Sequence, residues 1–381
     1  MSIRSSTERI RSDAADSAWM ARALMLAHRG VALTHPNPMV GAVVVRNDRI
    51  VGEGFHTFEG RKHAEVVALE AAGGEARGST LYVNLEPCCH TNRTGPCTRA
   101  IIAAGVKRVV AAMRDPNPKV AGRGIRELQK AGLEVSHGVR EAEAQRLNES
   151  FARWIVSGLP FVTMKSALTL DGQIAAPGGT VTWITSPESR EEVQRLRHAS
   201  DGLLTGIGTV LADDPRMTDR TGLARRKRLV RIVVDSKLRL PIKSKLVRSA
   251  RERDLLVFTT KSAHAGRIRA LEKAGAEVLQ VAVRSGHADL RAVVRELGRR
   301  EILSVILEAG STLNGAMLEA GLVDKAILFY APKILGTATV PVAKHRPQNI
   351  SKIRGLRNLT LRRFGPDFEV EGYFRDVYRN H

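Results

Sequence analysis

The stretch from His63 to Cys97 decides the fold of the first half of this chain. It reads His63-Ala64-Glu65-Val66-Val67-Ala68-Leu69-Glu70 and, after a gap, Glu86-Pro87-Cys88-Cys89-His90-Thr91-Asn92-Arg93-Thr94-Gly95-Pro96-Cys97. The first segment is predicted to be a helix that begins at His63, and the second follows a short predicted strand and leads into another helix at Cys97. One imidazole and two thiols form the ligand set of a catalytic zinc, because three protein ligands leave the fourth tetrahedral position open for water.

We assign His63, Cys88 and Cys97 as the zinc ligands. The metal would lower the pKa of its water towards neutrality, and Glu65 would move protons without binding the metal. His-x-Glu followed by Pro-Cys and a further Cys is typical of zinc nucleobase deaminases. In the alternative interpretation, His63 only caps a helix and the cysteines only fill a core. That alternative suits a lone His-x-Glu better than the full pattern.

The two assigned thiols are separated by an eight-residue segment, Cys89 to Pro96. Editing and cytidine deaminases usually carry Pro-Cys-x-x-Cys, so the loop here is longer. We expect it to enlarge one wall of the pocket and to place Arg93 near a phosphate. Within it, Cys89 is predicted to be a bystander, and His90 is predicted to contact substrate rather than to bind the metal.

The composition indicates a folded protein of two domains, since 381 residues exceed one ordinary domain. No apolar run reaches the roughly 18 residues of a membrane span, and no secretory signal is recognisable at the start. Residues 1–15 are expected to form a disordered leader. All three cysteines lie within ten residues, which indicates metal chemistry rather than disulfides and predicts a reducing cytoplasm.

The chain is strongly basic, with a formal net charge of +21. An anionic partner and a generally basic surface both explain this charge, and we favour the basic surface with phosphate-bearing ligands as a partial cause. Aromatic residues of the kind that stack bases are not interleaved with the basic ones. We therefore expect a phosphorylated small-molecule substrate, and neither a nucleic-acid nor a membrane partner.

Strands and helices alternate in both halves of the chain. In the first half this predicts a largely parallel, three-layer α/β sheet with the site at the strand ends. A hairpin is predicted between Met39 and Phe55, and one helix over Glu141 to Trp154. The boundary is placed at Ser157-Gly158, which gives domains 16–157 and 158–381. In the second half, Glu308 to Gly315 follows a strand and opens a helix, which suits a phosphate but equally suits a plain turn.

Taken together, these segments closely resemble the bifunctional deaminase-reductase family of riboflavin biosynthesis, over nearly the whole chain from about Asp16. The matching segments of the first half are Pro36-Asn37-Pro38-Met39-Val40-Gly41, His63 to Val66, Glu86 to Cys97, and Asp115-Pro116-Asn117-Pro118 with Gly122-Arg123-Gly124. Those of the second half are Leu170-Asp171-Gly172, Trp183-Ile184-Thr185-Ser186, Thr209 to Pro215, Val234-Asp235-Ser236, Glu308-Ala309-Gly310 and Ala331 to Gly336. Two departures are Cys89, where serine is common, and Val181, which is apolar where a hydroxyl could serve.

The resemblance implies a cytidine-deaminase-like three-layer α/β/α domain followed by a dihydrofolate-reductase-like α/β domain. It implies hydrolytic deamination of a phosphoribosyl-aminopyrimidine at the zinc, and then NADPH-dependent reduction of the ribosyl group to ribityl. NADPH is expected to contact Ala167, Trp183, Thr209, Asp213, Ser236 and the turn Gly310, Ser311, Thr312, Leu313, Asn314, Gly315, Ala316. Substrate is expected to contact Val181, Arg197, Met217, Arg220 and Glu308, and Lys165 is a candidate proton donor. A homo-oligomer is expected from the family alone.

Two other functions would also account for part of the sequence. A nucleic-acid-editing zinc deaminase with an appended binding domain would explain the charge, but the long loop between the thiols and the motifs of the second half argue against it. A non-enzymatic nucleotide-binding protein is disfavoured because Glu65 is intact. The resemblance, with both sets of motifs complete, predicts that both activities are present.

Overall fold

The computed structural model describes residues 6–90, 95–175, 183–252, 254–336, 339–344 and 355–379, with side chains from residue 13 onward. The chain divides into two compact units that meet between Ser157 and Gly158. Within the described ranges, no helix combines the length and the hydropathy needed to cross a membrane.

The first unit contains five strands that alternate with helices. In chain order, its elements are α1 (Ser6–His28), β1 (Gly41–Arg46), β2 (Arg49–Phe55), α2 (Ala64–Ala72), β3 (Thr80–Val83), α3 (Cys97–Ala103), β4 (Arg108–Ala111), α4 (Arg123–Lys130), β5 (Glu134–His137), α5 (Glu141–Leu147) and α6 (Glu149–Ser157). The strand order in the sheet is β2-β1-β3-β4-β5.

This sheet is mixed rather than largely parallel as the alternation had predicted. Strands β3, β4 and β5 are parallel, whereas β1 pairs antiparallel with both β2 and β3. The predicted hairpin is confirmed, and its turn consists of Asn47 and Asp48, which both have positive φ. A two-residue turn of this kind joins antiparallel strands, so β1 runs opposite to β2, and it also runs opposite to β3, β4 and β5.

Helices cover both faces of this sheet, as the three-layer prediction requires. Every residue of β1 from Gly41 to Val45 is buried, so neither face of the strand is open to water. A Cβ atom at Gly41 would lie 2.2 Å from the carbonyl oxygen of Ala23 in α1, and one at Gly54 would lie 2.4 Å from that of Ala64 in α2. Glycine at these positions lets both helices approach the hairpin closely.

Two helices differ from their predicted bounds. Helix α1 begins at Ser6, so residues 6–15 of the expected disordered leader are helical, because no glycine or proline interrupts the sequence before His28. The helix predicted over Glu141 to Trp154 is divided into α5 and α6 at Asn148. The Asn148 side chain accepts a hydrogen bond from the Met39 N–H (2.8 Å) and donates one to the Met39 carbonyl (3.0 Å). These two bonds connect the break between α5 and α6 to the segment that precedes β1.

The second unit is built on one large sheet. Its elements are β6 (Phe161–Thr169), β7 (Gln173–Ala175), α7 (Pro187–Ala199), β8 (Gly202–Gly206), α8 (Ile207–Asp213), β9 (Val230–Val234), α9 (Lys245–Arg248), β10 (Leu255–Thr260), α10 (Ala265–Lys273), β11 (Glu277–Val281), β12 (Val283–Arg284), β13 (His287–Ala288), α11 (Leu290–Arg299), β14 (Ser304–Leu307), α12 (Ser311–Glu319), β15 (Lys325–Ala331), β16 (Val340–Pro341), β17 (Arg357–Phe364) and β18 (Asp367–Tyr373).

The strand order in this sheet is β11-β10-β9-β8-β14-β6-β15-β18-β17. In this spatial order, neighbouring strands from β11 through β10, β9, β8, β14 and β6 to β15 are parallel. Strand β18 is antiparallel to β15, and β17 is antiparallel to β18. In such a sheet, ligands bind at the carboxyl ends of the parallel strands. Thr209 follows β8, Ser236 follows β9 and Glu308 follows β14, so these residues lie along one edge.

Candidate functional site

Three side chains that could hold a metal ion lie together in the first unit. His63 is the N-cap of α2, Cys97 is the first residue of α3, and Cys88 lies in the segment after β3. Their ligand atoms all lie within 4.8 Å of one another. His63 Nδ1 is 3.1 Å from Cys97 Sγ and 3.4 Å from Cys88 Sγ, and the Cys97 N–H donates to Cys88 Sγ at 3.4 Å. Two helix starts and one strand end therefore aim their side chains at one point.

A hydrogen bond links the two thiols and shifts their pKa values in opposite directions. The bond from Cys97, with a further one from His63, holds the pKa of Cys88 at about 4, although burial acts in the opposite direction. The same bond, together with burial, raises the pKa of Cys97. Two sulfur atoms and one imidazole nitrogen are thus brought together, and this soft donor set suits zinc.

Glu65 lies beside this cluster, on the first turn of α2. Its side chain is buried, and burial raises the pKa of the carboxyl above its ordinary value. A carboxyl with a raised pKa holds and releases a proton closer to neutral pH, as a general acid-base group requires.

A second buried carboxylate supports the segment that carries Cys88. Glu86 accepts hydrogen bonds from the backbone N–H groups of Asp115 (3.2 Å), Gly122 (2.8 Å) and Ile125 (3.2 Å). It thereby joins the end of β3 to the start of α4. No role was predicted for Glu86, although its position directly before Pro87-Cys88 was a visible signal.

His56 also escaped the sequence analysis. Its ring stands edge-on to that of His63, with the ring centroids 5.5 Å apart. Nδ1 of His56 lies 2.9 Å from the Lys62 carbonyl oxygen, and Nε2 lies 3.0 Å from Nδ2 of Asn37. Asn37 belongs to the Pro-Asn-Pro segment that carried part of the resemblance, so this motif reaches the metal-ligating cluster through one histidine.

The loop between the thiols is only partly described. Arg93, predicted to lie near a phosphate, falls outside the described residues. Cys89 and His90 are half-buried, and neither belongs to the cluster of three ligand atoms. Burial raises the pKa of the Cys89 thiol, which is consistent with the bystander role predicted for it.

In the second unit, a buried ion-pair cluster lies at the end of β14. Glu308 accepts two hydrogen bonds from Arg197, at 2.7 and 2.8 Å, and lies 3.7 Å from Lys165 Nζ. Burial raises the pKa of Glu308, but the two cations outweigh it and hold the pKa at about 2. Burial lowers the pKa of Lys165. Two residues predicted to bind substrate and the candidate proton donor are therefore in direct contact.

The predicted cofactor turn follows the same strand. Gly310 is the N-cap of α12, and its N–H donates to Thr209 Oγ1 at 3.1 Å, so two distant predicted cofactor residues meet. Asn314 is buried and donates to the carbonyls of Ala309 (3.1 Å) and Val342 (2.9 Å). The rest of this predicted set, Ser311, Thr312, Leu313, Gly315 and Ala316, lies in α12 itself.

The other predicted residues of the second unit are more dispersed. Ala167 lies within β6, Asp213 ends α8 and Ser236 follows β9, two strands away from β14 in the sheet. Trp183 is 62% exposed, and its ring contacts the Arg190 guanidinium at 4.6 Å.

The predicted substrate residues Met217 and Arg220 lie in the loop after α8. Met217 is buried with positive φ, and the Arg220 N–H donates to Gln194 of α7 at 3.1 Å. Val181 lies outside the described residues.

Comparison with protein families gives one match for each unit. Residues 13–113 match the cytidine and deoxycytidylate deaminase zinc-binding region, and residues 160–370 match the RibD C-terminal domain.

Curated relatives match over most of the chain. The Escherichia coli (strain K12) riboflavin biosynthesis protein RibD is 45% identical over 333 residues, which cover 84% of this chain and 89% of the relative. The RibD of Synechocystis is 41% identical over 363 residues, which cover 94% and 96%.

Solved structures agree over both units. Acinetobacter baumannii RibD is 35% identical with a TM-score of 0.83, and the match covers 95% of this chain and 99% of that chain. A diaminohydroxyphosphoribosylaminopyrimidine deaminase/5-amino-6-(5-phosphoribosylamino)uracil reductase from Thermotoga maritima is 34% identical with a TM-score of 0.82, and the match covers 95% and 99%.

Proposed function

This chain belongs to the RibD family of riboflavin biosynthesis proteins, and we propose that it catalyses two consecutive reactions on one phosphorylated pyrimidine. The first unit, proposed as the deaminase domain over 16–157, removes an amino group from a diaminopyrimidine ribosyl phosphate by hydrolysis. The second unit, proposed as the reductase domain over 158–381, reduces the ribosyl group of the product to ribityl with NADPH. The observation that carries the proposal is the convergence of His63, Cys88 and Cys97 beside the buried Glu65.

In the deaminase domain, the imidazole of His63 and the sulfur atoms of Cys88 and Cys97 would hold zinc. When bound there, zinc supplies a water molecule whose pKa is lowered to near neutrality. Glu65 would take up a proton from water at its carboxyl and deliver it to the departing amine, and burial raises the pKa of this carboxyl in the direction that such an acid-base group requires. The donor set fits this role, since three protein ligands leave one position open.

In the reductase domain, the turn after β14 would bind the cofactor. The N–H groups at the start of α12 suit a pyrophosphate, and the hydrogen bond from the Gly310 N–H to Thr209 joins the start of α12 to α8. Arg197 and Arg220 would bind anionic oxygens of the substrate, for which planar guanidinium groups are well suited. Lys165, whose pKa is lowered by burial, is positioned beside Glu308 as a proton donor.

The choice of NADPH as reductant, a cytoplasmic location and a homo-oligomeric state are part of this proposal. So are the contacts proposed for Ala167, Trp183, Val181 and Met217. The competing idea of a nucleic-acid-editing deaminase is not favoured, because relatives of the deaminase-reductase type match over both units.

The function can be tested with the purified full-length chain, zinc and the diaminopyrimidine ribosyl phosphate. We expect ammonia release without NADPH, followed by NADPH oxidation once the deaminated product has formed. Absence of both reactions would refute the proposal.

Glu65→Gln then separates the two sites. We expect ammonia release to fall by at least about 100-fold, the usual contribution of a positioned acid-base group. Reduction of supplied deaminated intermediate should continue at the wild-type rate. Glu70→Gln is the matched control, because Glu70 lies on the same helix but is exposed and paired with Lys62. Loss of both activities in Glu65→Gln would contradict the assignment of separate sites.

A further inference from the structure

The loop over 217–223, which follows α8, is fastened to helix α7 by consecutive residues. The Thr218 carbonyl accepts from Arg197 (3.1 Å), the Asp219 carboxylate lies 2.9 Å from Nδ1 of His198, and the N–H of residue 220 donates to Gln194 (3.1 Å). Gln194, Arg197 and His198 stand at positions i, i+3 and i+4, so they share one face of the helix. That face is therefore shaped to receive this loop.

Both carboxylate oxygens of Asp219 are bonded. One carboxylate oxygen lies 2.9 Å from His198 Nδ1 and 3.2 Å from an Arg225 nitrogen. The other accepts from the N–H (2.9 Å) and the hydroxyl (2.8 Å) of Thr221. The side chain is only 10% exposed, so water cannot replace these donors easily.

Arg225 connects this carboxylate to the end of the helix. A second guanidinium nitrogen of Arg225 donates to the Ser200 carbonyl at 2.8 Å, directly after α7. Burial raises the pKa of Asp219, but the bonds from Thr221 and His198 outweigh it and keep the pKa below its ordinary value. The group is therefore a carboxylate at neutral pH, as its contact with the Arg225 cation requires.

We propose that Asp219, held by His198 and Arg225, is a positioning residue of the reductase that sets the substrate-binding loop against helix α7. The inference rests on the proposed function, in which Met217 and Arg220 contact substrate. Asp219 lies between these two residues in the chain and does not itself need to touch substrate.

The contact reaches the reaction centre through Arg197. Two nitrogens of this guanidinium are occupied by Glu308, and the third donates to Thr218, the neighbour of Asp219. If the loop moves away, Arg197 loses that acceptor and the substrate loses a wall of its site. The effect should therefore appear in the binding of the pyrimidine substrate and not in the binding of NADPH.

The test is Asp219→Asn in the full-length chain. Asparagine keeps the size of the side chain but replaces one acceptor oxygen with a donor that faces other donors. We expect kcat/KM for the deaminated intermediate to fall about tenfold, mainly through a higher KM, as for the loss of one charged hydrogen bond. The KM for NADPH and the deaminase kcat/KM should stay within about twofold of wild type, because those sites are not touched.

Two substitutions of His198 test the contact with Asp219 independently. Asparagine at position 198 can place an N–H donor near the position of the imidazole Nδ1, whereas alanine cannot. We expect His198→Ala to raise the substrate KM as Asp219→Asn does, and His198→Asn to recover most of the loss. Equal effects of the two substitutions would argue against a positioning role.

Asp324→Asn is the matched control for a merely structural effect. Asp324 is also a buried carboxylate that pairs with an arginine, Arg375 (3.0 Å), and accepts a backbone N–H, that of Val162 (2.9 Å). It directly precedes β15 and so lies at the amino ends of the parallel strands, whereas the proposed site lies at their carboxyl ends. If it raises the substrate KM as much as Asp219→Asn does, the inference is wrong.

The experiment distinguishes failure of this inference from failure of the proposed function. A wild-type chain that reduces the intermediate, with an unchanged substrate KM in Asp219→Asn, would overturn the inference and leave the proposed function standing. A wild-type chain without reductase activity would overturn both.

Discussion

Glu308→Gln removes a negative charge that two buried cations share. Arg197 binds the carboxylate of Glu308 through two hydrogen bonds, and Lys165 lies 3.7 Å from it. The side chains of Glu308 and Arg197 are each 16% exposed and that of Lys165 is 12% exposed, so water screens the charges weakly. Glutamine has nearly the same volume, and the substitution therefore tests charge rather than packing.

The expected loss of stability follows from the pKa of Glu308. The two cations hold this pKa at about 2, against an ordinary value of 4.5. That shift corresponds to about 3 kcal/mol of folding free energy at neutral pH. Because the pKa of an acid is lowered, the contribution is complete above pH 4.5 and is lost as the pH falls through 2. Removal of one partner from a buried ion pair typically costs about 3–5 kcal/mol, which agrees with this value.

Hydrogen exchange of the intact chain measures this loss in the second unit. At pH 7, amides on β6 and β14 should exchange about 100-fold faster in Glu308→Gln than in wild type, and the difference should narrow below pH 4.5. Reductase activity should be lost while ammonia release stays unchanged. Glu319→Gln is the control, because Glu319 is exposed at the end of α12. The reasoning would be refuted if the amides of Glu308→Gln were as protected against exchange as those of wild type at pH 7. It would also be refuted if the difference in exchange rate stayed the same down to pH 3.

Two further predictions concern the first unit. Glu86→Gln should weaken zinc binding on the order of tenfold, measured in competition with a chelator, because an amide cannot accept from both Gly122 and Ile125 as a carboxylate does. A loss of this size is typical when a residue that supports a metal ligand is removed. Unchanged zinc affinity would show that Cys88 does not need this support. Burial raises the pKa of Asp115 from 3.8 to about 7, so the wild-type carboxyl costs stability as the pH rises from 3.8 to 7. Asp115→Asn should therefore gain stability over wild type in urea unfolding at pH 8, by at most about 4 kcal/mol, and very little at pH 4; equal gains at both pH values would exclude titration of Asp115 as the cause.

Local patterns predicted the parts of the fold that neighbouring residues control. The pair Ser186-Pro187 is a local helix-start pattern, and the Ser186 hydroxyl accepts from the Ser189 N–H at the start of α7. His63 and Cys97 stand at helix starts as predicted. Capping depends on bonds between residues three or fewer apart, so the sequence carries the whole signal. The roles of these two residues as zinc ligands stay predictions.

Contacts between segments that are distant in the chain were harder to predict from the sequence. The antiparallel pairing of β1 with β3 was not predicted, nor were strands β15, β17 and β18. The division between α5 and α6 also escaped prediction, because Asn148 at the break bonds to Met39, which lies 109 residues away in the segment before β1. Hydrophobic spacing reports which face of an element is buried, but not which partner buries it.

The sequence by itself predicted the class of chemistry in the first unit, because the three proposed ligands and Glu65 lie within one short stretch whose residue types are typical of a metal site. The tertiary structure decided how the second site is assembled. Arg197 meets Glu308 across 111 residues, and Thr209 meets Gly310 across 101, because β8 and β14 are neighbours in the sheet. The roles of Glu86, His56 and Asp219 depend on burial and on partners brought by other elements. Those contacts are products of folding, and no local pattern encodes them.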